Sequence, residues 1–199
     1  METTNRLRGI KLDFEEKTLN KETIFDGILL HLEREEVLLP NGKTAIREII
    51  RHPGAVAMIP FTDEGKMVLV RQFRKPLDRT VVEIPAGKLD ATDTNPLAAA
   101  KRELEEETDY QATNWEKIVT MYPTPAYLDE KFTIYLAEGL KKVDNPLPLD
   151  EDEFVEVIEV SYEEALALKN TGEICDAKTL YALLYWQLKL LGEDSNGRK

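Results

Sequence analysis

The sequence is poor in cysteine and has no long apolar segment. Its one cysteine, Cys175, cannot form an internal disulfide, so we expect the protein to work in a reducing compartment. No apolar run approaches the roughly 20 residues that span a bilayer. Residues 1–17 also lack the apolar core of a signal peptide. We therefore expect a cytoplasmic protein that does not bind membranes.

Basic side chains are outnumbered by acidic ones. The 26 lysines and arginines stand against 38 aspartates and glutamates, which gives a net charge of −12. Nucleic-acid backbones favour basic patches, so the charge balance argues against a nucleic-acid partner. It suits a protein that holds cations, or one that uses charge to stay in solution. The 199 residues are enough for one domain, or for one domain with an appendage.

The order of apolar and turn-forming segments predicts an α/β protein with a mixed sheet and helices on its faces. Residues 1–50 read as an N-terminal β arm, with a hairpin around Asn41-Gly42. We place the main domain at residues 51–192 and a disordered tail at 193–199. Helices are predicted at residues 97–108 and 162–170, and a last helix begins after a cap at Asp176 and ends at Gly192. The predicted core strands are AVAMIPF, KMVLVRQF, TVVEIPAG, NWEKIVTMYP, KFTIYLAEGL and DEFVEVIEV.

The stretch RELEEET, residues 102–108, concentrates negative charge on the first of these helices. Glu103, Glu106 and Glu107 fall within an arc of roughly 100° on a helical wheel, whereas Glu105 points toward solvent. Like charges at this spacing repel, and they lie near a helix C-terminus, where the macrodipole disfavours them. The alternatives are a solvated acidic face or a site for Mg²⁺ or Mn²⁺, which prefer hard oxygen ligands.

The stretch GKLDATDTNPLAAAKRELEEETDY, residues 87–110, resembles the Nudix box. That pattern is a Gly, five residues, a Glu, seven residues, and then Arg-Glu-apolar-any-Glu-Glu-any-Gly-apolar. Gly87 and residues 102–107 match the pattern in register. Asp93 stands for the first Glu, the loop has one extra residue, and Asp109 stands for the last Gly. These departures affect the loop and the helix end, and they leave the acidic positions intact.

Further segments extend the resemblance over roughly residues 51–179, most of the chain. RHPGAV, VRQFRKP, EIPAGKL, YPTPAYLDE, DEDEFVEV and GEICDAKT resemble the ADP-ribose pyrophosphatase-like subfamily, which also has a proline beyond the box, here Pro125. The resemblance implies an α/β/α sandwich, a homodimer that exchanges N-terminal strands, and hydrolysis of ADP-ribose to AMP and ribose 5-phosphate. Two alternatives stay open: a hydrolase of another nucleoside diphosphate sugar such as GDP-mannose, and a Nudix-like sensor that binds ADP-ribose without cutting it.

The resemblance also implies roles for individual residues. Glu103, Glu106 and Glu107, with the backbone carbonyl of Ala86, would hold the metal. Arg102 would orient one of the glutamates. The general base would come from the loop at residues 150–153.

Within that acidic loop we choose Glu153 as the base, with Glu151 second, because Glu153 directly precedes an apolar strand that anchors its backbone. The alternative is that the loop is an acidic surface turn.

Four residues outside the box are candidate substrate ligands. Arg74 and Arg51 could clamp a diphosphate, and Glu83 could accept a hydrogen bond from a ribose hydroxyl. Tyr127 could border the ligand. The alternatives are surface arginines, an interface salt bridge at Glu83 and a packed aromatic ring at Tyr127.

Overall fold

We analysed a computed structural model of the chain, which describes residues 14–90, 92–93, 95–149 and 153–196. These residues fall into two compact units. One contains the chain up to His52 together with Thr124–Asp129, and the other contains Pro53–Pro123 and the described residues from Glu130 onward.

The first unit is built on an antiparallel sheet of three strands: β1 (Lys17–Asp26), β2 (His31–Leu38) and β3 (Thr44–Arg51). Strands β2 and β3 form the predicted hairpin, and Gly42 in its turn has a φ of 79°, a conformation that glycine adopts without strain. The hairpin prediction is confirmed. Strand β1 was not predicted as a separate strand, and all ten of its residues are exposed.

The second unit contains seven strands in two sheets. The strands are β4 (Ala55–Pro60), β5 (Met67–Arg74), β6 (Arg79–Glu83), β7 (Ala86–Lys88), β8 (Tyr110–Met121), β9 (Phe132–Lys142) and β10 (Val155–Val160). One sheet has the order β10-β5-β6 and the other β7-β4-β9-β8. Strands β4 and β9 pair in parallel and the other pairs are antiparallel, as a mixed sheet requires.

The predicted strand TVVEIPAG is in fact two strands in different sheets. Strand β6 ends at Glu83, and β7 begins at Ala86. Pro85 lies between them and has no N–H to continue a ladder. The break between the strands therefore separates Glu83, at the end of β6, from Ala86 and Gly87, at the start of β7.

Three α-helices complete the unit: α1 (Pro96–Thr108), α2 (Tyr162–Thr171) and α3 (Ala177–Asn196). Helix α1 ends at Asp109, whose φ of 58° is left-handed. A capping box of Ser161 and Glu164 opens α2, and the predicted cap Asp176 accepts the Thr179 N–H at 3.1 Å at the start of α3. The predicted helix end at Gly192 is wrong, because α3 continues to Asn196. Thus residues 193–196 of the predicted disordered tail are helical, and residues 197–199 lie outside the described part.

Two apolar clusters place helices on both sides of the strands. Helix α1 contributes Ala99, Ala100 and Leu104 to one cluster, which includes Val56 and Met58 of β4. Helices α2 and α3 pack on the other cluster, which contains the alternate β4 residues Ala57 and Ile59. The predicted α/β class and α/β/α arrangement agree with this unit. Among the described helices, none is long and apolar enough to cross a membrane.

Candidate active site

The acidic face of α1 packs directly on the backbone of β7. Glu103 and Glu107 are only 8% and 4% exposed. The Ala86 N–H donates to Glu107 Oε2 at 2.9 Å. A Cβ added to Gly87 would lie 1.9 Å from Cδ of Glu103, so a side chain at residue 87 would displace this carboxyl group. Glycine is therefore needed at this position for close packing.

Burial of these carboxylates changes their acidity. Burial raises the pKa of Glu107 to about 8, with the nearby charges of Glu103 and Glu153 adding to the rise. The Ala86 N–H and Arg74 act in the opposite direction. Burial likewise raises the pKa of Glu103 to about 7, against the opposing charge of Arg102. Two neighbouring carboxylates that resist ionisation favour binding of a cation.

Arg102 is the positive charge at the centre of this cluster. Its guanidinium contacts four carboxylates: Glu106 at 2.6 Å, Glu103 at 2.9 Å, Asp90 at 3.2 Å and Asp93 at 3.3 Å. Burial alone would lower the pKa of Arg102, but the acidic partners raise it. The sequence predicted that Arg102 orients one glutamate of the metal site. In the structure Arg102 forms ion pairs with two of them, Glu103 and Glu106.

The donor set fits a divalent cation chemically. Glu103, Glu106 and Glu107 supply hard carboxylate oxygens beside the β7 backbone. Within the described residues, no three acidic, histidine or cysteine side chains stand at metal-binding spacing. Each of the three carboxylates has a partner within the protein instead: Arg102 forms ion pairs with Glu103 and Glu106, and Glu107 accepts a hydrogen bond from the Ala86 N–H.

Of the two residues predicted as base, the structure describes one. The charge of Glu153 raises the pKa of both Glu103 and Glu107, which puts its carboxylate near the acidic face of α1. Glu151 lies outside the described residues. The assignment of the base stays a prediction.

Arg74 and Glu83 form a salt bridge beside the cluster. Glu83 is buried, and its Oε2 accepts from Nε of Arg74 at 2.7 Å and from Gln72 at 3.2 Å. Its Oε1 accepts from Nζ of Lys178 at 2.8 Å. The positive charge of Arg74 lowers the pKa of Glu107, so Arg74 lies near the acidic residues. Sequence reasoning missed Lys178, which is 95 residues from Glu83.

The remaining two predicted substrate ligands belong to the other compact unit. Arg51 pairs with Glu33 at 2.7 Å, Glu35 at 2.8 Å and Asp129 at 3.2 Å. Tyr127 is 53% exposed, and its backbone carbonyl accepts the Ile50 N–H at 2.8 Å. The predicted roles of both residues in substrate binding stay predictions.

Comparison with known families identifies this arrangement. Residues 16–50 match the nucleoside diphosphate sugar hydrolase N-terminal domain, and residues 51–183 match the NUDIX domain. The chain belongs to the Nudix family. The predicted family is therefore confirmed, and so is the predicted class of enzyme, a Nudix hydrolase.

The chain is similar to several Nudix relatives that have different names. It is 54% identical to the ADP-ribose pyrophosphatase of Bacillus subtilis (strain 168), over 88% of this chain and 94% of the relative. It is 48% identical to a methanol dehydrogenase activator of Bacillus methanolicus, over 88% and 95%. GDP-mannose pyrophosphatases match at 32–34% identity. A crystal structure of an ADP compounds hydrolase shares the fold with a TM-score of 0.81, at 23% identity over 93% of this chain and 98% of the other.

The structure accounts for two departures of this chain from the Nudix pattern. Asp93, which replaces a Glu, lies 3.3 Å from Arg102, so the acidic contact from the loop is retained. Asp109, which replaces a Gly, ends α1 in the left-handed region. Aspartate tolerates this conformation better than most residues, at some cost compared with glycine.

Proposed function

We propose that this Nudix hydrolase cleaves the diphosphate of ADP-ribose to AMP and ribose 5-phosphate, with Mg²⁺, or alternatively Mn²⁺, as its cofactor. The observation that carries the proposal is the buried pair Glu103 and Glu107, held against the β7 backbone on one face of α1 with Glu106. The 54% identity to an ADP-ribose pyrophosphatase supports this choice of substrate. Hydrolases of this family generally depend on a divalent metal.

Each part of the cluster has a distinct role in this proposal. Glu103, Glu106, Glu107 and the Ala86 carbonyl would hold the metal. When bound, a divalent cation neutralises phosphate oxygens and lowers the pKa of an attacking water. Arg102 holds the side chains of Glu103 and Glu106 in a fixed orientation through its ion pairs.

Residues around the cluster would handle the proton and the substrate. Glu153 accepts the proton of the water whose oxygen attacks phosphorus, and the bond from that phosphorus to the bridging oxygen breaks. Arg74 donates to a diphosphate oxygen.

Two other functions are ranked lower. Hydrolysis of GDP-mannose is the second candidate, since pyrophosphatases of that name are related at lower identity. A sensor that binds ADP-ribose without cutting it is disfavoured, because Glu103, Glu106 and Glu107 are all present.

A hydrolysis screen separates these candidates. Purified protein is incubated with ADP-ribose, GDP-mannose and other nucleoside diphosphate sugars, with Mg²⁺, with Mn²⁺ and with EDTA. We expect ADP-ribose to have the highest kcat/KM and AMP to appear only with metal. Preference for GDP-mannose would overturn the substrate assignment, and binding of ADP-ribose without turnover would establish a sensor.

We also propose a homodimer in which the N-terminal strands are exchanged. A three-stranded sheet with apolar side chains in contact with water is stabilised when a further surface covers them, and a second copy of the chain supplies one. Exposed apolar side chains of these strands and of the turn between β1 and β2 support such a surface: Leu19, Ile24, Phe25, Leu29, Leu30 and Ile46. The sequence-based expectations of a cytoplasmic location and of no nucleic-acid partner belong to the same proposal. They rest on the single cysteine and on the net charge of −12.

A further inference from the structure

The first turn of α3 is tied to the end of β6 by buried polar contacts. Lys178, whose side chain is 11% exposed, donates to Glu83 Oε1 at 2.8 Å and to Asp176 Oδ1 at 2.9 Å. The same Asp176 oxygen accepts the Thr179 N–H at 3.1 Å. The buried Thr179 hydroxyl accepts the Ile84 N–H at 3.0 Å. Lys178 is therefore held in one place by a helix cap and a strand end.

Two cations share the single carboxylate of Glu83. Lys178 engages Oε1, and Arg74 engages Oε2 through Nε and Nη2, both at 2.7 Å. The Glu83 side chain is only 6% exposed, so water does not compete strongly for either oxygen. Each cation therefore contacts only one of the two oxygens of the Glu83 carboxylate.

This division leaves part of the Arg74 guanidinium available. Within the part of the chain that the structure describes, Nη1 of Arg74 has no hydrogen-bond partner, and the side chain is 40% exposed. The guanidinium also lies close enough to Glu107 to lower its pKa. Arginine with a free N–H beside a metal-binding cluster is suited to an oxygen of a diphosphate.

We propose that Lys178 is a positioning residue for the reaction. By holding Oε1 of Glu83, it fixes the carboxylate whose Oε2 engages Nε and Nη2 of Arg74, and so keeps the Arg74 guanidinium in the orientation that presents Nη1 to the substrate diphosphate. The inference rests on the proposed function, because it assigns Arg74 to the substrate of that site. Without Lys178, the Glu83 carboxylate is free to rotate, and the Arg74 guanidinium that it holds loses its fixed orientation toward the substrate.

Steady-state kinetics with ADP-ribose and saturating Mg²⁺ tests this role. We expect Lys178→Met to raise KM roughly tenfold, the value of about one charge-assisted hydrogen bond, while kcat stays within about twofold. Lys178→Arg keeps a cation on Oε1 and should restore KM to within about twofold of the parent. Lys189→Met is the matched control, because Lys189 lies on the same helix, α3, and forms an ion pair with Glu138 of β9. Lys189→Met should leave KM unchanged.

A double-mutant cycle separates positioning from a general effect on folding. In the Glu83→Gln background no carboxylate links Lys178 to Arg74, so adding Lys178→Met should change KM by less than about twofold. This background also avoids an unpaired buried charge, so the double variant folds even if Lys178→Met alone does not. An equal rise of KM in both backgrounds, or an unchanged KM in Lys178→Met, would overturn the inference. A parent protein that does not hydrolyse ADP-ribose would instead refute the proposed function.

Discussion

Glu107 and Glu103 are the carboxylates of the acidic cluster whose pKa values are raised to about 8 and about 7, and Glu107 has the larger rise. Both pKa values lie above the ordinary value of 4.5. The folded, metal-free protein therefore binds protons at these sites more tightly than the unfolded chain does. Between pH 4.5 and about 8, folding takes up protons, so the free energy of unfolding falls as the pH rises.

Replacement of Glu107 tests this linkage. In EDTA, the melting temperature of the parent protein should fall as the pH rises toward about 8, and Glu107→Gln should weaken that fall. At pH 8 we expect the variant to melt about 2–4 °C higher, the shift for about 1 kcal/mol in a chain of this size. Scanning calorimetry from pH 5 to 9 measures both curves. Parallel curves for the two proteins would show that Glu107 carries no raised pKa.

Glu153 is the second residue whose role can be isolated. Glu153→Gln should lower kcat by about 10²–10⁴-fold, because general-base catalysis contributes that range. Affinity for Mg²⁺, measured by titration calorimetry, should hardly change, since the base contacts water. Glu151→Gln and Asp152→Asn are the controls from the same loop. If Glu153→Gln keeps more than about half the rate while Glu151→Gln loses it, the base is Glu151. If all three variants stay active, a helix glutamate serves as base.

At the scale of elements, the site depends on the closeness of β7 to α1. In Gly87→Ala the new Cβ displaces the Glu103 carboxyl group, which is the far end of a flexible side chain. Because the ligand Glu103 is moved, we expect Mg²⁺ affinity and kcat/KM each to fall roughly tenfold, while the melting temperature changes little. Gly192→Ala is the control: among the described residues, no atom lies within 4 Å of an added Cβ, and the change should stabilise α3 by about 1 kcal/mol without changing activity. Unchanged Mg²⁺ affinity in Gly87→Ala would contradict the packing argument.

Sequence reasoning located most elements of the second unit, and its errors have physical causes. Strand β1 is exposed along its whole length, so it has no buried face whose alternation would mark it clearly. Gly192 does not end α3, because one exposed glycine costs a helix only about 1 kcal/mol. The strand TVVEIPAG is continuous in apolar pattern, yet Pro85 divides it between two sheets.

The local part of the site was easier to predict than the long-range part. Glu103, Glu106 and Glu107 could be grouped from helical spacing alone. The contact between Glu83 and Lys178 could not, because it depends on how α3 packs on β6, across 95 residues. Glu105 was predicted to point toward solvent, but it is half-buried and accepts from Gln111 at 2.8 Å and from the Leu147 N–H at 3.3 Å. These partners come from segments that follow the helix.

At the scale of the whole molecule, the proposed strand exchange predicts a dimer that depends on the N-terminal sheet. Analytical ultracentrifugation should show a dimer at micromolar concentration. Replacing Ile24 and Phe25, which are 46% and 56% exposed, by serine should weaken it. Leu188→Ser on α3, 68% exposed, is the control and should leave the dimer intact. A stable, fully active monomer of the parent protein would rule out the exchange.

The central claim is that the acidic face of α1 holds the metal that drives cleavage. The most direct test is kcat for ADP-ribose at saturating Mg²⁺ in three single variants of that helix: Glu106→Gln, Glu107→Gln and Glu105→Gln. The first two should lose nearly all turnover while remaining folded, and Glu105→Gln, which alters the same helix outside the cluster, should keep it. Near-normal rates in both Glu106→Gln and Glu107→Gln would contradict the assignment of these carboxylates to the metal.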